Sequence, residues 1–133
     1  MKLDGMSFFQ LASERMTWLG ARQSVISENI ANADTPNYKA REVNDFAQAL
    51  EGSREMSGLS VTDAQHIQSG HTTPDGVRIE RDETAWEASL DGNTVSVEQQ
   101  TIKAADVAGN YRLAAELYRK GHSLLTVAVT GIR

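Results

Sequence analysis

Cysteine is absent from this 133-residue chain, so disulfides, thiolate metal centres and cysteine nucleophiles are excluded together. Large rings are few, with 3 Phe, 2 Trp and 3 Tyr. The core must therefore be built from Leu, Ile, Val, Ala and Met, within the chain or against other subunits. Positive charge is not in excess: 13 basic against 18 acidic side chains leave −5, which argues against a nucleic-acid partner. No apolar run is long enough to span a membrane. The most apolar stretch, 124–132, is interrupted by Thr126, Thr130 and Gly131. The opening MKLDGMSFFQ carries Asp4 and no long apolar segment, so it does not read as a secretory signal peptide, and export is expected to use another route.

What is present is arranged in three parts. Residues 1–50 carry five basic and six acidic side chains, 51–93 three and nine, and 94–133 five and three. The acidity sits in the middle, with Gly52, Gly58, Gly70, Gly76, Gly92 and Pro74, and this part reads as solvated and loop-rich.

The spacing predicts a first long helix over about 7–33. Ser7 and Gln10 fit a capping box, and Met6 with Leu11 fits a hydrophobic staple. Apolar residues then recur at Phe9, Ala12, Met16, Leu19, Ile26 and Ile30 at heptad-like spacing, interrupted by Gln23. Pro36 disfavours helix at the residue before it. A second long helix is predicted over about 96–131, with Ser96 and Gln99 as another capping box and Thr94 as the alternative cap. Its seam runs through Tyr111, Ala114, Tyr118, Gly121, Leu125, Ala128 and Ile132 without a break. Globular helices average about 11–12 residues. Two helices of roughly 40 and 50 Å, at 1.5 Å per residue, carry more apolar face than 60 or so intervening residues can cover. The surplus is expected to be buried against other molecules.

The middle is read as a short helix continuing over 41–50 and short strands at 60–63 and 76–82, with a turn at 73–76. A hairpin or small irregular β lobe follows from this. Catalytic motifs are missing: there is no P-loop, GxSxG, HExxH or EF-hand loop. His66 and His71 lie near Glu80, Asp82 and Glu83 in sequence, but a metal site needs three or four converging ligands, and loop residues are the simpler reading. Glu80, Asp82, Glu83 and Glu87 read as a solvated face, and His122 as a surface or interface residue. No catalytic residue, metal ligand or cofactor is expected.

One stretch is more specific. Residues 27–41 read SENIANADTPNYKAR. Asn29 and Asn32 lie one turn apart, where asparagine is a poor mid-helix residue and serves to bond backbone groups as a helix ends. Thr35-Pro36-Asn37-Tyr38 then has turn chemistry, with Pro at the first central position and Asn, which tolerates positive φ, at the second.

Asn29-Ile30-Ala31-Asn32, Thr35-Pro36 and Tyr38 closely resemble the signature N-I-A-N-x-x-T-P-G-Y of the axial proteins of the bacterial flagellum, the rod and hook proteins. Asn37 replaces the usual Gly, a mild change, since Asn is the next best residue for positive φ. The run 89–95, SLDGNTV, resembles the proximal-rod members in particular, and 40–46 and 64–67 match more loosely. The resemblance implies a non-enzymatic structural subunit: an all-α-dominated fold in which the terminal parts, 1–36 and 94–133, pair as an antiparallel coiled coil, and the middle part, 37–93, faces outward. It implies other copies of the chain, other rod proteins, the ring and adaptor proteins at the base of the flagellum and the flagellar type III export apparatus as partners. It places assembly in the periplasmic rod, without a direct membrane span. A paralogous rod or hook-base protein and, from a different class, a soluble helical adaptor or secretion chaperone remain as alternatives.

Overall fold

The computed structural model describes residues 7–57 and 76–131. The expected staple residue Met6, the strand at 60–63, the match at 64–67, His66 and His71, most of the 73–76 turn, and Ile132 of the seam lie outside the described residues.

The first helix, α1, spans Phe8–Ala31. Ser7 is its N-cap in an extended conformation, and its hydroxyl accepts the Gln10 N–H at 3.1 Å. The strand β1 follows at Arg41–Val43, the helix α2 at Phe46–Ser57, the strand β2 at Ile79–Arg81 and the helix α3 at Val97–Thr130. Gly131, at φ 66°, closes α3 with its N–H on the Val127 carbonyl at 2.8 Å. Two long helices thus carry more than half of the described residues, with a two-stranded sheet and a short helix between them.

The long helices run antiparallel. At one end Asn29 bonds Gln100 at 3.0 Å. At the other, the Phe9 and Tyr118 rings meet edge to face with centroids 5.3 Å apart. On α1 the buried side chains are Trp18, Leu19, Val25, Ile26 and Asn29; on α3 they are Gln99, Gln100, Val107 and Ala114. The apolar core joins Trp18, Leu19, Val25, Ile26 and Val107 to Val43, Ala49 and Val77 of the middle elements. The packed stripe on α3 therefore begins eleven residues before Tyr111, at Gln100, and continues through Ala104 and Val107. A polar glutamine at its first position hides that start from a hydrophobicity pattern.

The middle departs from expectation in one place, the helix over 41–50, and bears out the strand at 76–82. Residues 41–50 are not one helix: 41–43 form β1, and the helix begins at Phe46, with its first turn closed by the Ala49 N–H on the Asp45 carbonyl at 2.9 Å. β2 falls inside the strand expected at 76–82, but its partner is β1, antiparallel, with Arg41 opposite Arg81, Glu42 opposite Glu80 and Val43 opposite Ile79. The physical reason is that β1 packs beside α1 and finds its backbone partner in β2, a long-range gain that local propensity does not register.

Candidate functional site

The expected signature forms the junction where α1 ends, the chain turns and α3 begins. Asn32 keeps its local role: its amide bonds the Glu28 carbonyl at 2.9 Å, and its side-chain oxygen accepts the Thr35 hydroxyl at 3.1 Å. Asn29 does something different. It is fully buried, and its amide group pairs with the backbone of Arg41, donating to the carbonyl at 2.8 Å and accepting the N–H at 2.9 Å. It acts as an extra rung beside β1 and ties β1 to α3 through Gln100. The Tyr38 hydroxyl also reaches its oxygen, at 3.4 Å. Burial, and then the nearby Glu28 carboxylate, raise the Tyr38 phenol above its ordinary range. Ile30 and Ala31, by contrast, are exposed.

The turn has the geometry its residues dictate. Asn37 has φ 60°, the one positive φ among the described non-glycine residues, and the Tyr38 N–H returns to the Thr35 carbonyl at 3.3 Å. The turn docks on the 89–95 segment. The Asn37 N–H bonds the Asp91 carbonyl at 2.9 Å, and the Thr94 N–H bonds the Tyr38 carbonyl at 3.1 Å. The Thr94 hydroxyl accepts the Ala40 N–H at 2.8 Å. Gly92, at φ 82°, lies so close that a Cβ there would sit 2.6 Å from the Asn37 side-chain oxygen. The two stretches that carry the family resemblance, far apart in the chain, are thus halves of one structure.

Asn93 completes it. Its buried amide donates to the carbonyls of Asn32, Ala33 and Thr35 at 2.9, 3.0 and 2.8 Å, capping α1 from a distant part of the chain. Its oxygen accepts the Val95 N–H at 2.8 Å.

Beside the junction lies an ion network. Lys103 on α3 bridges Glu42 at 3.0 Å and Asp82 at 2.6 Å, and Arg22 on α1 grips Glu42 through two nitrogens at 3.1 and 3.2 Å. Asp82 also accepts the Thr84 N–H and hydroxyl. Burial acts upward on both carboxyls. In Glu42 the hydrogen bonds and charges of Arg22 and Lys103 outweigh it, and in Asp82 those of Lys103 and Thr84 do, so both lie below their ordinary range. The expected solvated acidic face holds for Glu80, Glu83 and Glu87 but not for Asp82, which is buried because it has a lysine to meet.

The second capping box is also only half formed. Ser96 accepts the Gln99 N–H at 3.4 Å, but the Gln99 amide reaches outward to the Thr84 carbonyl and the Trp86 N–H, clamping the loop after β2. Gln100 and Lys103 belong to no motif in the sequence, and Asn93 enters it only as a member of the 89–95 run. The usable signal was the three-four spacing running back from Tyr111 through Val107 and Ala104 to Gln100.

The seam residues divide. Leu19, Ile26 and Ala114 are buried, and Phe9 and Met16 are half-buried. Ile30, Tyr111, Tyr118, Leu125 and Ala128 are exposed. Gly121 makes room for α1 of its own chain: a Cβ there would lie 2.7 Å from the Phe8 ring and 3.4 Å from the Phe9 ring. Gly20 and Gly109 have nothing within 4 Å of such a Cβ. Among the described residues there is no metal-type cluster of histidine and acidic side chains, and no helix is long and apolar enough to cross a membrane.

A long antiparallel helix pair, stapled at one end by a polar junction and leaving apolar faces open at the other, defines a structural assembly subunit. A sequence profile of the flagella basal body rod protein family matches residues 9–39. The chain is 34% identical to the flagellar basal body rod protein FlgB of Escherichia coli K12, over 85% of this chain and 84% of the relative. It is 34% identical to FlgB of Cereibacter sphaeroides over 83% and 84%, and 27% identical to FlgB of Agrobacterium fabrum over 93% of both. The chain belongs to the flagellar basal body rod protein family, among its FlgB-like members. It is a structural rod subunit of the flagellar basal body.

Proposed function

We propose that the chain is a proximal-rod subunit with no catalytic role, which assembles through α1 and α3 with copies of itself and with other rod proteins and transmits torque along the packed helices. The observation that carries this is the second half of α3. Leu117, Leu124, Leu125 and Val129 are 49%, 61%, 50% and 79% exposed on a helix that runs past the start of α1. Burying one such side chain contributes about 1.5–3 kcal/mol, so a repeated contact along this face is a strong driving force for assembly. The seam residues Ile30, Tyr111, Tyr118, Leu125, Ala128 and Ile132 belong to that intersubunit surface, and 37–93 lies on the outside. Ring and adaptor proteins at the base of the flagellum bound the assembly, and the subunit reaches the periplasm through the flagellar type III export apparatus.

The test is the double substitution Leu124→Gln with Leu125→Gln. Both side chains are exposed, so the purified variant should keep wild-type helix content and unfolding midpoint. Cells carrying it should lose swimming motility, and the protein should be missing from isolated basal bodies. Normal incorporation would show that this face is not an assembly surface. Light scattering on the purified wild type separates the adaptor or chaperone reading, which requires a stable dimer on its own.

A further inference from the structure

The register of the two-stranded sheet sets Arg41 directly opposite Arg81. Like charges facing each other across an antiparallel pair are destabilising. Arg41 has a partial partner in Glu28, at 3.4 Å, with both side chains about half exposed. Arg81 has no ion pair among the described residues, because the neighbouring Glu80 lies 3.9 Å from Arg78. Lys39 completes the group, with its ammonium on the Gly92 carbonyl. Together with Ile79 and Glu80 these three cations line an open cleft of about 300 Å³. A chain of net charge −5 therefore lines this cleft with three cations against Glu80, with Glu28 beside Arg41 at its edge.

The same chain presents the complement. After β2, residues 83–91 carry Glu83, Glu87 and Asp91, all exposed. Trp86 and Leu90 in the same loop are 61% and 110% exposed. The loop is held in shape: Gln99 clamps Thr84 and Trp86, and the Ser89 N–H bonds the Asn93 carbonyl at 2.8 Å. A pre-organised loop loses little conformational freedom on docking.

We propose that the Lys39–Arg41–Arg81 cleft of one copy takes the acidic loop 83–91 of a second copy, with Glu83 and Glu87 meeting the guanidinium groups and Trp86 covering Ile79. Guanidinium groups suit this role, because they pair with carboxylates in a fork and stack on aromatic rings. Cleft and loop are adjacent but share no residue, so each copy offers one of each and the contact repeats from copy to copy. The inference rests on the chain being a self-assembling rod subunit.

The absence of native cysteine makes cross-linking clean. Full-length Arg81→Cys and Glu87→Cys copies are co-expressed in flagellated cells, and isolated basal bodies are treated with a short thiol-reactive cross-linker. The expected result is a linked dimer when both variants are present and none with either alone. In parallel, Arg81→Glu should lower incorporation about tenfold or more, and adding Glu87→Arg in the same chain should restore it. Arg81→Glu relieves the clash with Arg41, so the purified variant should unfold no earlier than wild type, which separates lost docking from lost folding. Wild-type incorporation of Arg81→Glu, or no mixed cross-link in basal bodies holding both variants, would overturn the docking and leave the rod reading intact. Loss with Arg81→Glu that Glu87→Arg fails to rescue, without a cross-link, would assign the cleft to another protein and overturn the second-copy proposal. Absence of the wild-type chain from basal bodies would overturn the rod reading, and this proposal with it.

Discussion

The side-chain amide of Asn93 lies 2.9 Å from the carbonyl oxygen of Asn32, the residue that ends α1. A helix C-terminus leaves carbonyls without partners and carries partial negative charge. In this chain the missing donor comes from the loop that leads into α3, so closing one long helix and starting the other are a single event.

Substitution of Asn93 should therefore loosen both helices. Asn93→Ala removes a buried donor and is expected to cost about 1–3 kcal/mol. Asn93→Asp keeps the acceptor for the Val95 N–H but sets a carboxylate against the helix carbonyls, so it should be the worse of the two. Denaturant unfolding measures the loss, and amide exchange should quicken around 30–38. A more stable aspartate variant would contradict the capping geometry.

At the turn, Asn37→Gly should be tolerated and Asn37→Val should destabilise, since a β-branched side chain at φ 60° meets a steric penalty. Gly92→Ala, at φ 82°, should cost about 1–2 kcal/mol for its left-handed backbone. Both positions are read by thermal unfolding and then by motility. Equal stability of the valine and glycine variants of Asn37 would exclude this turn.

Gly121→Leu should push apart the Phe8 and Phe9 rings and the helix beneath them, at about 1–3 kcal/mol. Gly121→Ala needs only a shift of the half-exposed Phe8 ring and gains helix propensity of about 1 kcal/mol. The alanine variant should thus unfold close to wild type, and the leucine variant earlier. A reversed order would mean that α1 and α3 do not meet here in solution.

The ion network makes stability acid-sensitive. Glu42 and Asp82 have folded-state pKa values below their unfolded ones. Their contribution is full above the unfolded carboxyl range, around pH 4, and is lost as pH falls through the lowered folded values. Lys103→Met removes the cation that both carboxyls share and leaves the buried Asp82 unpaired. It should cost about 3 kcal/mol at neutral pH and flatten the acid limb of stability against pH. An unchanged acid limb in that variant would show that Lys103 does not hold these carboxylates.

Both long helices were legible from Ser7, Ser96 and the three-four recurrence of apolar residues, because caps and amphipathic periodicity are local. The positive φ at residue 37 was legible too, since a Pro-Asn pair admits few backbone conformations. The start of β1 was not: Arg41 to Val43 would suit a helix, and only the strand at Ile79–Arg81 decides otherwise. Asp82 looked like one more solvated acid, because the lysine that buries it stands on another element.

The chain by itself determined where its two long helices begin, where the turn falls and that apolar surface would be left over. Those properties follow from spacing within a few residues. Only the tertiary structure decided that Asn29 serves β1 and α3 instead of its own helix, that Asn93 caps α1, and that the packed stripe of α3 starts at a glutamine. Asn29, Asn93 and the Gln100 side-chain oxygen are buried polar groups whose partners stand far along the chain, and those partners are met only when the two helices close on each other.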